Sequence, residues 1–194
     1  MHPEAAEFLR GALFTAFVAE LFGLSSAVKV RAATLLCRLV TQEAYVDGLA
    51  ASGLLSTLTR LQVHADFELE YADVFARIVI KCAKVSHKAL EFCIDEDVMA
   101  IFVPLLKGKH TKAIGNVALG IAELANSKQV CARLVGSTVV ADLMLHARKE
   151  KTQITENCAV ALARLAAGDP AHLLRLKQLD GMEVIHSRSK TPAR

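Results

Sequence analysis

The stretch Thr155–Asp169, TENCAVALARLAAGD, decides how this chain is read. Ala159, Leu162, Ala163, Leu165 and Ala166 fall at helical spacing with small residues between them. That pattern predicts a helix that is apolar on more than one side. Such small residues let neighbouring helices approach closely. Gly168-Asp169-Pro170 reads as the stop, because glycine suits the position after a helix end and proline cannot continue a helix.

Working outward, the stretch recurs. Asn116 lies 41 residues before Asn157, and GNVALGIAELANS (Gly115–Ser127) sets Ala118, Ile121 and Leu124 where Ala159, Leu162 and Leu165 stand. A step of 42 reaches VFARIVIKCAK (Val74–Lys84), with Ala76, Val79 and Cys82 in those places. A step of 43 reaches RAATLLCRLV (Arg31–Val40), with Ala33, Leu36 and Leu39. Helical copies with a period near 40 are expected to stack as a solenoid, each burying its neighbour's apolar face. Punctuation agrees with the core copies: Gly53, the turn at Asp97, Gly136-Ser137 and Gly181 each separate the first and second helices of a unit.

The expected units run over about 1–41, 42–85, 86–126 and 127–168, with a partial unit at 169–187, as a single solenoid over 1–187. Residues 188–194 are polar and basic and are expected to fray. The predicted core helices are Ala27–Val40, Phe67–Lys84, one over Gly115–Ser127, and Thr155–Asp169. Shorter helices are predicted at Glu43–Ala51, Leu54–Val63, His87–Cys93, Val98–Leu106, Lys128–Val135, Val139–Arg148, Ala171–Leu179 and Met182–His186. Pro104 is expected to kink or trim its helix. Pro3–Phe22 reads as one helix or two, followed by a turn at Gly23-Leu24-Ser25-Ser26 in which either serine suits a cap. Its Phe8, Leu9, Leu13, Phe14, Phe17, Val18 and Leu21 lack the polar outer face of a solenoid cap. Either this helix caps the stack with its apolar face inward, or the stack is truncated at its start and is a piece of a longer protein, which is the favoured reading. Alternatively, Phe8, Phe14, Phe17 and Leu21 drive dimerisation.

Composition narrows the function classes. Apolar residues make up 53%, but aromatics only 5%, and tryptophan is absent, so Ala, Leu and Val carry the core. No apolar run reaches the roughly 18 residues of a membrane span, since Glu20 interrupts Gly11–Leu24. The start shows no basic segment followed by an apolar one, and MHPEA reads as a helix start. A cytoplasmic protein without membrane contact is expected. The net charge of +3 is too mild to imply nucleic acid. Five widely spread cysteines (Cys37, Cys82, Cys93, Cys131, Cys158) include no CxxC pair. They are expected to be buried free thiols in a reducing compartment, without zinc or any cofactor. Asp95-Glu96-Asp97 is a solvated turn, too poor in ligands for a calcium loop. His64, His87, His110, His146, His172 and His186 are scattered, mostly near loops, with no catalytic partner at repeat spacing. No glycine-rich phosphate loop follows a strand. An enzyme is not expected.

The xAAxxLxxL pattern of each copy resembles the third helix of an armadillo repeat, and the resemblance covers about Glu43–Ile185. It implies an all-α, armadillo-type right-handed helical solenoid of about four repeats of 41–43 residues. The runs ENCAVALARLAAGDPAHLLRLKQLDGMEVIHS and IKCAKVSHKALEF are similar to a narrower family, in which an armadillo segment closes a chain begun by tetratricopeptide repeats. That resemblance implies a cytoplasmic co-chaperone-like factor that preassembles axonemal dynein arms for cilia and flagella, with dynein subunits or chaperones as partners. This chain has no 34-residue tetratricopeptide unit, so the chaperone-docking clamp is missing from it. A second resemblance is to myosin chaperones with an armadillo-like domain, whose groove takes more repeats than fit here.

The armadillo resemblance also implies a concave face, made by the third helices, that binds extended peptides. Counted from the first slot of each copy, the eighth slot holds Arg38, Lys81, Glu123 and Arg164, and the fourth holds Thr34, Arg77, Leu119 and Val160. Side chains four apart share a helix face. Arg38, Arg77, Lys81 and Arg164 are thus expected to form a broken basic ladder suited to acidic partner segments, with the solvated outer face of the helices as the plainer reading. Asn116 and Asn157 fill the first slot, where capping or hydrogen bonds between repeats are expected of them. Nuclear-import adaptors pair tryptophan with asparagine here. Without tryptophan, recognition of a nuclear-localisation peptide is not expected.

Overall fold

The structure is a computed structural model, and it describes residues 26–40, 46, 47, 56, 69–108, 110–149 and 152–186. Among the described residues all regular structure is helical. The chain divides into two compact units, Met1–Ile101 and Phe102–Arg194. The expectations for the N-terminal helix, its turn and its apolar dimer face, for Gly53 and His64, for Leu54–Val63 apart from the helical Ser56, and for the tail lie outside the described residues.

In the first unit, α1 (Ser26–Leu39) packs on α2 (Leu69–Val85), and α2 packs on α3 (His87–Asp95). Ala32, Ala33, Leu36 and Cys37 form the buried stripe of α1, while Arg31, Leu35 and Arg38 are exposed. Helix α2 buries a broad apolar face, on which Ala72, Val74, Phe75, Ala76, Ile78, Val79 and Cys82 each expose under a twentieth of their surface. Asp73, Arg77, Lys81 and Lys84 recur at helical spacing as a polar stripe on the remaining side, with Arg77 and Lys84 exposed. The Ser86 hydroxyl accepts from the Ala89 amide at 3.2 Å, capping α3, and donates to the Asp47 carboxylate.

The division between the units falls within α4 (Val98–Leu105), which contains Pro104 in its last turn. The second unit continues with α5 (Thr111–Leu124), α6 (Lys128–Arg133), α7 (Val139–Ala147), α8 (Gln153–Gly168), α9 (Pro170–Gln178) and α10 (Met182–His186). The stretch that opened the sequence reading is α8, and it touches α5, α6, α7, α9 and α10. Its Cys158, Ala161, Leu162 and Leu165 are fully buried. Burying each leucine contributes about 1.5–3 kcal/mol. Helix α8 starts with a capping box: the Thr152 hydroxyl accepts from the Thr155 amide at 3.4 Å, and Thr155 Oγ1 accepts from the Thr152 amide at 2.9 Å. Two features of this helix differ from the sequence reading. Gly168 is the last helical residue, without left-handed backbone. A side chain there would meet Cys131 Sγ at 2.3 Å, so its lack of a Cβ serves close packing. The stop is supplied by Asp169, whose carboxylate accepts from the Ala171 amide at 2.8 Å and so starts α9 with Pro170 in the first turn.

The turns between first and second helices share a backbone state. Asp97 (φ 49), Gly136 (φ 84) and Asp180 (φ 50) are all left-handed, a conformation that glycine adopts freely and aspartate tolerates. In the last of these turns the left-handed residue is Asp180, one before the expected glycine. Gly181 is buried instead, where a Cβ would lie 2.4 Å from Leu176 Cδ1.

Candidate functional site

Four core helices carry the residues singled out from the sequence. On α1, Arg38 is exposed and Thr34 turns its hydroxyl back onto the Val30 carbonyl at 2.7 Å. On α2, Arg77 is exposed, with Asp73 four residues earlier at 4.0 Å. Lys81 Nζ leaves its own helix and donates to the Cys37 carbonyl of α1 at 2.6 Å. On α5, Asn116 is half-buried and Glu123 buried. On α8, Asn157 Nδ2 donates to the Gly115 carbonyl at 2.9 Å, and its Oδ1 accepts from Gln153 at 3.1 Å. Arg164 Nη1 donates to the Ala122 carbonyl at 2.8 Å and lies 3.1 Å from Glu123 Oε2.

These contacts obey one register. A first-slot or eighth-slot side chain donates to the carbonyl one slot lower on the preceding core helix: Asn157 to Gly115, Arg164 to Ala122, Lys81 to Cys37. The Gly115 carbonyl is mid-helix and keeps a second lone pair, whereas Cys37 and Ala122 lie in the last turns of their helices, where carbonyls lack an intrahelical donor. Each added bond ties two repeats together and contributes about 0.5–1.5 kcal/mol, more where the donor is charged. The expected inter-repeat role of Asn157 is thus found. It does not cap its helix, because Thr152 does. The structure brings Glu123 and Arg164 together as an ion pair, so the basic ladder is locally neutral on the α5–α8 pair.

Two further residues of this kind were not anticipated. His146 and His172 were read as near-loop histidines, but both are buried within helices. His146 Nε2 lies 2.7 Å from the Leu106 carbonyl, and His172 Nε2 lies 2.8 Å from the Cys131 carbonyl. A carbonyl only accepts, so Nε2 carries the proton in each ring. The separations of 40 and 41 residues are about one repeat, but the partners are backbone carbonyls, so no residue pattern in the sequence marks them. His110 has a local role, its Nδ1 accepting from the Ala113 amide to cap α5.

All five cysteines are buried thiols outside any disulfide. Burial holds the Cys82 thiol well above its usual value, with smaller contributions from Cys93 and Cys37. Burial, and then Glu96, pushes Cys93 up to about 12. Burial and Asp169 also raise Cys131. Thiols held protonated in this way are weak nucleophiles at neutral pH. Among the described residues no three His, Cys, Asp or Glu side chains are placed to hold a metal ion, and no helix is long and apolar enough to cross a membrane.

An open cleft of about 570 Å³ lies within the second unit. It is lined by Gly108, Thr111 and Ile114, by His146 and Lys149 at the end of α7, and by Thr152, Ile154 and Thr155 at the start of α8.

No family model matches the chain. It is similar to human tetratricopeptide repeat protein 12, with 24% identity over 168 residues, which is 84% of this chain and 23% of that protein. The chain thus aligns with about a quarter of its relative's length. Among solved structures it is similar to a computationally designed armadillo repeat protein for modular peptide recognition, with TM-score 0.77 and 17% identity over 93% of this chain and 76% of that one. It is also similar to a designed armadillo repeat protein in complex with the peptide (KR)4, with TM-score 0.75 and 16% identity over 91% and 74%. The fold is therefore of the armadillo type, and the relationship to human tetratricopeptide repeat protein 12 is a distant one.

Proposed function

We propose that this chain is a non-enzymatic protein-binding scaffold that takes extended acidic segments of its partners along its core helices. The observation that carries this reading is the state of the slot residues on α1 and α2. Arg38 and Arg77 are exposed cations on two helices packed together, and Lys81 beside them ties the helices to each other. A groove of fixed geometry with exposed guanidinium groups suits carboxylates, which pair with them bidentately. Designed proteins of the same fold are described as recognising peptides, one of them a basic peptide. Here the exposed Arg38 and Arg77 have the same sign as that peptide, so an acidic segment is expected in its place.

The distant likeness to tetratricopeptide repeat protein 12 supports a narrower role, as the armadillo part of a cytoplasmic assembly factor for axonemal dynein arms. In that role the partners are dynein subunits or chaperones. Peptide binding is tested by fluorescence anisotropy with long acidic, neutral and basic peptides, comparing wild type with Arg38→Glu plus Arg77→Glu. The proposal requires selective binding of the acidic peptide, weakened about tenfold or more in the double variant, which is about 1.4 kcal/mol. Equal binding of all three peptides would sink it. The narrower role is tested by crosslinking capture from ciliated-cell cytoplasm. Dynein chains captured by wild type and lost in the double variant support it. Capture of trafficking, signalling or myosin-folding components alone would replace it with an adaptor or a myosin-chaperone-like role.

A further inference from the structure

We infer that the cleft between the starts of α5 and α8 is a second partner subsite, holding a carboxylate-bearing residue of a bound peptide together with an aliphatic neighbour. The inference rests on the protein-binding reading and adds a place and a chemistry to it. The cleft's volume of about 570 Å³ lies within the range of roughly 300–1,000 Å³ typical of ligand sites. Ile114 and Ile154 supply apolar wall from two different helices, Thr111 adds a hydroxyl, and the Thr152 hydroxyl, which accepts from the Thr155 amide, keeps its proton to donate. This mixture of aliphatic wall and a few polar groups selects a side chain with a polar neighbour over a bare ion.

The sign of that polar group follows from three features. Lys149 lines the cleft and is exposed. Its Nζ lies 3.5 Å from Nδ1 of His146, a ring that exposes 6% of its surface and is anchored through Nε2 to the Leu106 carbonyl. With Nε2 protonated, Nδ1 is an acceptor, so the buried imidazole draws the ammonium group toward the cleft. The starts of α5, of 14 residues, and of α8, of 16 residues, also meet there, and each adds the positive end of a helix dipole. No carboxylate is among the described residues that line the cleft. The site is thus electropositive and partly apolar, and charge complementarity selects an acidic residue next to an aliphatic one.

The chain has no tryptophan, so Gln153→Trp, at an exposed α8 residue that is not among those lining the cleft, places a single indole reporter beside it. The variant is checked for an unchanged melting curve and titrated with a short peptide of alternating leucine and aspartate, with an alternating leucine and asparagine peptide as control. A saturable emission change is expected with the acidic peptide only. It should weaken about tenfold when Lys149→Glu is added, since that change reverses the charge of the lysine that lines the cleft. It should stay within about twofold when Arg38→Glu and Arg77→Glu are added instead. An equal response to the asparagine peptide, or no loss with Lys149→Glu, would overturn the subsite. Hexanoate alone titrating the reporter as tightly as the peptide would overturn the peptide assignment in favour of a small free acid. Binding of long acidic peptides that fails in Arg38→Glu plus Arg77→Glu but never perturbs the reporter would leave the scaffold reading standing and remove this one.

Discussion

The pairs α1–α2 and α5–α8 use the same link between repeats but differ in charge. In both, the eighth-slot cation of the later helix reaches the seventh-slot carbonyl of the earlier one. What differs is the eighth slot of the earlier helix. On α5 it is Glu123, which captures Arg164 at 3.1 Å. On α1 it is Arg38, which has the same sign as Lys81. The α5–α8 pair also approaches through Gly115, where a Cβ would lie 3.2 Å from Ile154 Cγ1, whereas α1 and α2 contain no glycine. One backbone connection can therefore be kept while the surface above it changes from neutral to basic. The link belongs to the fold, and the charge left over is available for partners.

The largest break in this comparison is expected at the close approach. Gly115→Leu forces α5 and α8 apart and should cost about 3 kcal/mol, the upper end for overpacking, read as a lower urea midpoint. Next comes Arg164→Met. It removes the Ala122 bond and takes the guanidinium from a buried glutamate, with an expected loss of about 2 kcal/mol. Adding Glu123→Gln to it should restore about 1 kcal/mol, measured as a double-mutant cycle. Recovery of nothing would mean that the pair does not act as a unit. Lys81→Met is expected to cost only about 1 kcal/mol, because no buried carboxylate is left behind. Thiol labelling locates each effect: Arg164→Met should speed modification of Cys131 and Cys158, and Lys81→Met that of Cys37 and Cys82, all buried in wild type. The smallest effect is expected for Arg77→Met, since its contact with Asp73 is a 4.0 Å pair with the arginine side chain 47% exposed. Such pairs contribute below about 0.5 kcal/mol, and less with added salt.

Much of the fold was legible because burial is written in residue type. Copies of one apolar pattern at steps of 41, 42 and 43 located α1, α2, α5 and α8, and the shorter helices of the second unit matched their predicted bounds within two residues. The turn punctuation was read correctly at Asp97, Gly136 and Gly181, but the left-handed residue of the last turn is Asp180, because glycine serves both left-handed backbone and close packing and its identity alone does not say which. Gly168 was misread for the same reason. Polar residues were harder. Lys81 and Arg164 have the composition of a solvated face, and nothing local tells a cation in water from one bonded to a carbonyl some 42 residues away. His146 and His172 were passed over because a lone histidine has no period of its own.

The sequence by itself determined that the chain is helical, that its units repeat about every 41–43 residues, and which faces are buried. Those properties follow from periodicity and the hydrophobic effect, which act through residue type and spacing. Tertiary structure decided which polar side chains face solvent and which tie repeats together, that Glu123 neutralises Arg164, and that a cleft opens beside Lys149. A hydrogen bond or ion pair depends on distances of about 3 Å between atoms far apart in the chain, and only the packed helices set those distances.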